Sequence, residues 1–347
     1  MFLIVSADQA LHNPPHEVLY GALVPIYESP VRAEMIQTAL EQANIGTIIE
    51  PRRFGIEPIR AVHSDDYLEY LEHSYERWVA AGGSPEAVLP ETLAVRWMGP
   101  RTSTNPIAQA GYYAFDMSAP IVAGTYRAAR SAADAALTGA ALLREGQRFA
   151  YALCRPPGHH AGRDLCGGYC FLNNAAIAAE DLLRNTPNTS RVAIIDIDYH
   201  HGNGTQQIFY ERDDVLFVSI HADPVREYPY FTGFADERGA SAGLGTTLNI
   251  PLAAGVDDRT YLDALDVALA AIRSFEPQFV VVSAGFDTFG GDPLGDFALS
   301  AAAYPQIGRR IAALGLPTLV LQEGGYAVEA LGTNVVGLLR GLESSEE

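Results

Sequence analysis

Apolar runs alternate with segments of helical period along the chain. Strand-like runs cover Phe2–Val5, Phe149–Leu153, Val192–Ile197, Val215–Ile220, Thr246–Ile250, Phe279–Ser283 and Thr318–Leu321. Several are apolar at nearly every position, which marks strands covered on both faces of a parallel sheet. Helical spacing covers Arg32–Gln42, Thr125–Arg144, Asn173–Arg184, Tyr261–Phe275, Ala301–Ala313 and Val328–Leu342. This alternation predicts an α/β fold: one domain over residues 1–347, a parallel sheet with helices on both faces. The stretch Tyr75–Pro120 resists the pattern. It shows no clear period, yet holds Trp78, Trp97, Tyr112, Tyr113 and Phe115. Aromatics argue against disorder, and a long loop in a compact domain is usually functional. It reads as an ordered insertion that packs on something, such as a second subunit. The tail Glu343–Glu347 reads as frayed.

Polar residues interrupt the apolar pattern at strand ends, where open parallel sheets bind ligands. In RVAIIDIDYHHGNGTQ (Arg191–Gln206), Asp196, Asp198 and His200 fall at i, i+2, i+4. Alternate residues of an extended chain share a face, so these side chains converge. Burying two acids in an apolar strand is costly without partners, and a divalent metal supplies one. The other clusters are Cys154–His160 (CRPPGHH), Ser283–Asp287 (SAGFD) and Glu323–Tyr326 (EGGY). Asp198, His200 and Asp287 make a three-ligand set that leaves a position open for chemistry. His159 and His160 are candidates for proton transfer. Tyr326, after two glycines, is a candidate donor to an oxyanion.

Composition narrows the partners. The chain has 347 residues, 48% hydrophobic, with 42 acidic against 23 basic residues and a formal net charge of −19. Nucleic acid is a poor partner for such a chain, whereas a cationic small molecule is attracted. Three cysteines (Cys154, Cys166, Cys170) give an odd count, which fits reduced thiols in a cytoplasm better than a disulfide framework. The start MFLIVSADQ has no basic region before its apolar run and reads as a first strand. No apolar run is long enough to suggest a membrane span.

PPGHHAG, GGYCFLNNAA, DIDYHHGNGTQ, SAGFDT–GDP and EGGY, in this order, resemble the histone deacetylase superfamily with its arginase-like fold. LYGALVP–ESPVRAE and the GYY–PI–GTY stretch resemble bacterial acetylpolyamine amidohydrolases. The resemblance implies a zinc-dependent amidohydrolase acting on small acylated amines, and a homodimer. It implies zinc on Asp198, His200 and Asp287, with iron(II) nearly as suitable. It makes His160 the general base and then acid, His159 its electrostatic partner, and Tyr326 the oxyanion donor. Asp196 supports His159 and borders a monovalent cation site, usually potassium, completed by Ser219 and the carbonyls of Asp198, His200 and Ile220. Asn203 stands where many relatives pair an Asp with the second histidine. Gly168 and Tyr169 match a tunnel wall, with Tyr228 the facing aromatic. Relatives also carry acidic side chains near the pocket mouth, within the region around 105–118. Here Ile107 and Ser118 stand at the aligned places, with Asp116 the one acid nearby. The rival readings are an acetyl-lysine protein deacetylase and a non-enzymatic ligand sensor on the same fold. Arginase-like chemistry needs a DxHxD pattern; here it reads Asp198-Tyr-His200-His201-Gly202, without the last Asp.

Overall fold

The apolar runs lie side by side in one parallel sheet. The computed structural model describes residues 1–99 and 101–344. Pro100, the Trp97 side chain and the last three residues of the expected frayed tail lie outside the described residues. The strands are β1 (Phe2–Ile4), β2 (His16–Leu19), β3 (Ala22–Pro25), β4 (Thr47–Ile49), β5 (Phe149–Ala152), β6 (Val192–Asp196), β7 (Val215–Ala222), β8 (Thr247–Leu252), β9 (Phe279–Ala284) and β10 (Thr318–Gln322). Eight form the sheet, in the order β4-β1-β5-β10-β9-β6-β7-β8. The helices are α1 (Pro30–Ala43), α2 (Glu57–Arg60), α3 (Asp65–Ala80), α4 (Pro106–Tyr112), α5 (Thr125–Arg144), α6 (Asn174–Asn185), α7 (Asn203–Phe209), α8 (Asp258–Phe275), α9 (Ala303–Ala312) and α10 (Val328–Glu343).

Strand alternation builds a core on each face. Val192 and Ile194 of β6 join one core with α3, α5 and α6. Ala193 and Ile195 join the other, with α1, α8, α9 and α10. The fold class read from the sequence is the fold observed, an α/β parallel sheet covered on both faces. Asp196 lies in register with Ser283 on one side and Ser219 on the other. The four polar clusters follow β5, β10, β9 and β6, which are consecutive neighbours in the sheet. That adjacency brings distant sequence to one rim.

The strand and helix runs read from the sequence leave out β2, β3, β4, α2, α3, α4 and α7, and two of these departures matter most. The segment from Tyr75 begins inside a helix, because α3 runs to Ala80. Its buried side, Tyr67, Leu68, Tyr70, Leu71, Ser74 and Trp78, has helical spacing, with charged residues on the opposite face. Tyr113 and Trp78 of this region pack within the chain. Tyr113 stacks on Tyr70 at 4.6 Å, and the buried Trp78 donates from Nε1 to the Ser84 carbonyl. The second departure is the antiparallel hairpin β2–β3. Its turn, Tyr20-Gly21, has φ of 49° and 79°, the left-handed pair of a two-residue hairpin turn.

Candidate active site

At the end of β6 the chain turns so that backbone amides orient the carboxylates. Asp196 accepts from the Asp198 amide at 3.1 Å, and Asp198 from the His200 amide at 2.9 Å. Asp287, after β9, accepts from the Tyr199 amide at 2.9 Å. Gly324, after β10, donates its amide to Asp198 at 2.8 Å. A side chain at Gly324 would crowd both carboxylates, its Cβ lying 2.5 Å from Asp287 Oδ2 and 2.7 Å from Asp198 Oδ2.

Asp198, His200 and Asp287 converge as the sequence suggested. One ligand atom from each lies within 4.8 Å of the others. His200 Nδ1 is 3.0 Å from Asp287 and 3.3 Å from Asp198. Both carboxylates are fully buried. Burial and the neighbouring Asp198 push the Asp287 carboxyl up to about 7. Burial opposes charge on His200 too, but the two carboxylates hold it up, to about 10. Two buried acids that share one imidazole and attract a proton form a donor set suited to a divalent cation. A second buried group, His159, Cys170 and Glu323, has equally close ligand atoms. There burial holds the Cys170 thiol well above 9, in its protonated form, and Glu323 is spent on backbone amides and Ser283, so we assign it no ion.

The tandem histidines sit beside this centre with opposite electrostatics. Carboxylate and amide oxygens only accept, so each ring donates from Nδ1. His159 donates to Asp196 at 2.9 Å and His160 to Asn203 at 2.7 Å. Burial lowers the basicity of His159, but Asp196 and Asp198 outweigh it and raise its pKa to about 10. His160 is pushed well below 6.5 by burial and by the positive rings of His159 and His200. The rings are 3.9 Å apart between centroids. The pair therefore combines an imidazolium with a neutral base.

Tyr326 is held by its backbone. Asp292 accepts from the Tyr326 and Ala327 amides at 2.6 and 2.8 Å. Arg32 lies 4.8 Å over the Tyr326 ring and donates to the Glu323 and Gly325 carbonyls. Burial keeps the Tyr326 hydroxyl protonated, its pKa well above 10.

A cavity of 420 Å³ leads to this centre, lined among others by His160, His200, Tyr326, Gly168, Tyr169 and Tyr228. Gly168 has φ of 53°, and a side chain there would collide with the His160 ring. Tyr228 meets His160 edge-on at 5.0 Å and stacks with Phe115 at 6.4 Å. Acidic groups line the same cavity. Tyr169 donates its hydroxyl to Glu17 at 2.6 Å, and Tyr228 donates to Asp116 at 2.6 Å. Glu227 lines the same cavity. Ile107, by contrast, lies on α4 and packs against the core. Ser118 donates to Asp116.

The profile of the family described as Histone deacetylase domain matches residues 26–342. The chain belongs to the histone deacetylase family. Acetylpolyamine amidohydrolase 2 of Pseudomonas aeruginosa is 47% identical over 343 residues, covering 99% of both chains. Acetylpolyamine amidohydrolase of Mycoplana ramosa is 45% identical over 342 residues, again covering 99% of both. The crystal structure of acetylpolyamine aminohydrolase from Burkholderia pseudomallei superimposes with a TM-score of 0.94 at 40% identity, covering 99% of both chains. The HD domain of HDA15 superimposes at 0.81 and 29% identity, covering 99% of this chain and 89% of that one.

Sequence reasoning missed Glu17 and Glu227 on the cavity wall, Asp292 and Arg32 behind Tyr326, and Glu323 behind the histidines. The Tyr-Gly turn was a usable signal for the hairpin that carries Glu17. The others reach the site through tertiary contacts that no local pattern announces. Asp196 and Ser219 stand side by side and fully buried, and the Ser219 hydroxyl lies 2.8 Å from His221 Nδ1. Ile220 follows on β7, also fully buried. All three cysteines are buried and free.

Proposed function

We propose that this protein is a zinc-dependent amidohydrolase that removes the acetyl group from small acylated amines, acetylpolyamines or acetylated diamines. The carrying observation is the cavity that joins Asp198, His200 and Asp287 to carboxylates on its walls. Its volume of 420 Å³ suits a small molecule, and Glu17, Asp116 and Glu227 on its lining suit a distal ammonium. The named activity of the Pseudomonas and Mycoplana relatives supports the same reading.

Asp198, His200 and Asp287 would hold the ion. Bound there, zinc supplies Lewis acidity, bringing the pKa of water to ~7 and polarising the amide carbonyl. His160, neutral and with Nδ1 committed to Asn203, takes the water proton at Nε2 as attack proceeds. His159, charged and fixed by Asp196, stabilises the negative charge that gathers nearby. Tyr326 keeps its proton and donates to the developing oxyanion. His160 then returns the proton to the leaving amine.

Asp196, Ser219 and the carbonyls of Asp198, His200 and Ile220 form the proposed potassium site. A cytoplasmic location fits the free thiols, and among the described residues no helix is long and apolar enough to cross a membrane. We also read the protein as one catalytic domain that works as a homodimer. Tyr20 and Phe231 are each 87% exposed, Leu23 is exposed nearby on the same hairpin as Tyr20, and Met98 is exposed in the insertion. Such side chains are a liability on a free surface and an asset in an interface.

Turnover of acetylputrescine, acetylcadaverine, acetylspermidine and an acetyl-lysine peptide by the zinc-loaded protein tests the reading. Release of free amine from the small substrates, faster than from the peptide, is expected. Preference for the peptide would favour the protein-deacetylase rival, and no release from any of them would favour the non-enzymatic one.

A further inference from the structure

Glu323 is fully buried at the end of β10, and its side chain is spent on the segment that carries the tandem histidines. Its Oε2 accepts from the Gly158 amide at 2.7 Å and from the His159 amide at 3.2 Å. Its Oε1 accepts from the Ser283 hydroxyl on β9 at 3.1 Å. The His159 carbonyl, on the other side of the residue, accepts from the Gly204 and Thr205 amides of α7. His159 is thus gripped at both ends of its backbone, and its ring is aimed by Asp196.

We infer that Glu323 is a positioning residue: its carboxylate sets where the backbone of His159 and His160 stands over the reacting carbonyl. The inference rests on the proposed roles of those histidines. The carboxylate spans the gap between Ser283 and two loop amides, and its reach does the positioning. The hydrogen bonds do not require a negative charge. A glutamine oxygen in the Oε2 place keeps both amide bonds. Its NH₂ then faces Ser283, whose hydroxyl can accept as well as donate. An aspartate keeps the charge but is one methylene short of holding both sides. A loop displaced by that much misplaces the base relative to the water it must deprotonate.

The test compares Glu323→Gln with Glu323→Asp in the full zinc-loaded protein, each checked for folding by circular dichroism. Glu323→Asp is expected to lose about 10- to 100-fold in kcat with little change in KM, and Glu323→Gln several-fold less. A second readout is the downfield NMR resonance of the His159 Nδ1 proton on Asp196. It should hold its wild-type position in Glu323→Gln and shift or broaden in Glu323→Asp. The opposite order of the two variants would overturn the inference in favour of a charge effect. Wild-type kcat and an unmoved resonance in Glu323→Asp would overturn it outright. The NMR arm needs no substrate, so it decides the inference even if the amide-hydrolysis reading fails.

Discussion

His160 donates from Nδ1 to the amide oxygen of Asn203, 2.7 Å away, where a carboxylate would have added charge. Its partner His159 faces the carboxylate of Asp196 instead. The neutral amide orients the second ring without raising its basicity, and burial and the two charged neighbouring rings keep it low. Asn203→Asp should raise the His160 pKa, because an adjacent anion favours the imidazolium. The acidic limb of kcat/KM should then move to higher pH. A pH–rate profile of the two proteins measures it, and an unmoved limb would deny His160 the role of base.

Asp287→Ala should abolish turnover while the protein stays folded. The substitution removes one of the three proposed ligands, the carboxyl that burial and the neighbouring Asp198 push up to about 7. Bound metal, measured by elemental analysis after dialysis against zinc, should fall with activity. Full turnover in metal-free Asp287→Ala protein would dismiss the proposed centre.

Tyr326→Phe should lower kcat by ~10²–10³ and leave KM nearly unchanged, the cost of losing a donor aimed at developing charge. Steady-state kinetics separates the two. A rise in KM at constant kcat would instead mean the hydroxyl binds ground-state substrate.

The strands that frame this chemistry were legible because both faces of the sheet are covered. Val192–Ile195 and Phe279–Val282 are apolar at every position, and the acids that follow them stand out. Asp198, His200 and Asp287 could be grouped for the same reason. Glu17 could not, since its strand lies outside the sheet, in a short hairpin whose β3, apolar in sequence (ALVP), is nonetheless exposed or half-exposed. Glu323 stood in plain view within EGGY, yet its partners Gly158 and Ser283 are 165 and 40 residues away. Helix α3 was legible in the same way, with Tyr67, Leu68, Leu71, Ser74 and Trp78 at helical spacing and charges on the other face, and the pattern reading passed over it.

Stability should fall on the acid side in steps set by buried histidines. His63 accepts the Asn173 amide at Nε2 and lies 3.3 Å from the Arg163 carbonyl at Nδ1, so a second proton breaks the first bond. Burial lowers its pKa from 6.5 to about 4. The unfolded chain therefore binds this proton first. The stabilisation is complete above pH 6.5 and is lost as pH falls toward 4. The loss amounts to about 3 kcal/mol at 1.36 kcal/mol per pKa unit. His63→Gln should flatten the fall in Tm across that window, and thermal melts at stepped pH would show it. An equal slope in both proteins would remove His63 from the account.

The exposed Tyr20 and Phe231 should disappear into a contact between two copies. Light scattering should give twice the chain mass. Tyr20→Glu together with Phe231→Glu should yield monomers, with relative rates shifted toward the acetyl-lysine peptide. A wild-type monomer at micromolar concentration would refute the dimer.

The collision that awaits any side chain at Gly168 ties the width of the cavity to the general base. One wall is frozen: to reshape it is to push His160 off its mark. The opposite wall is under a weaker constraint: Tyr228 and Phe115 meet each other and the His160 ring through side chains, while Asp116 accepts from the Gly168 amide at 3.0 Å and belongs to the frozen side. Evolution of a new acyl or amine preference on this scaffold is therefore channelled to one side. Libraries aimed at altered substrates should diversify positions 115 and 228 and leave 116 and 168 untouched.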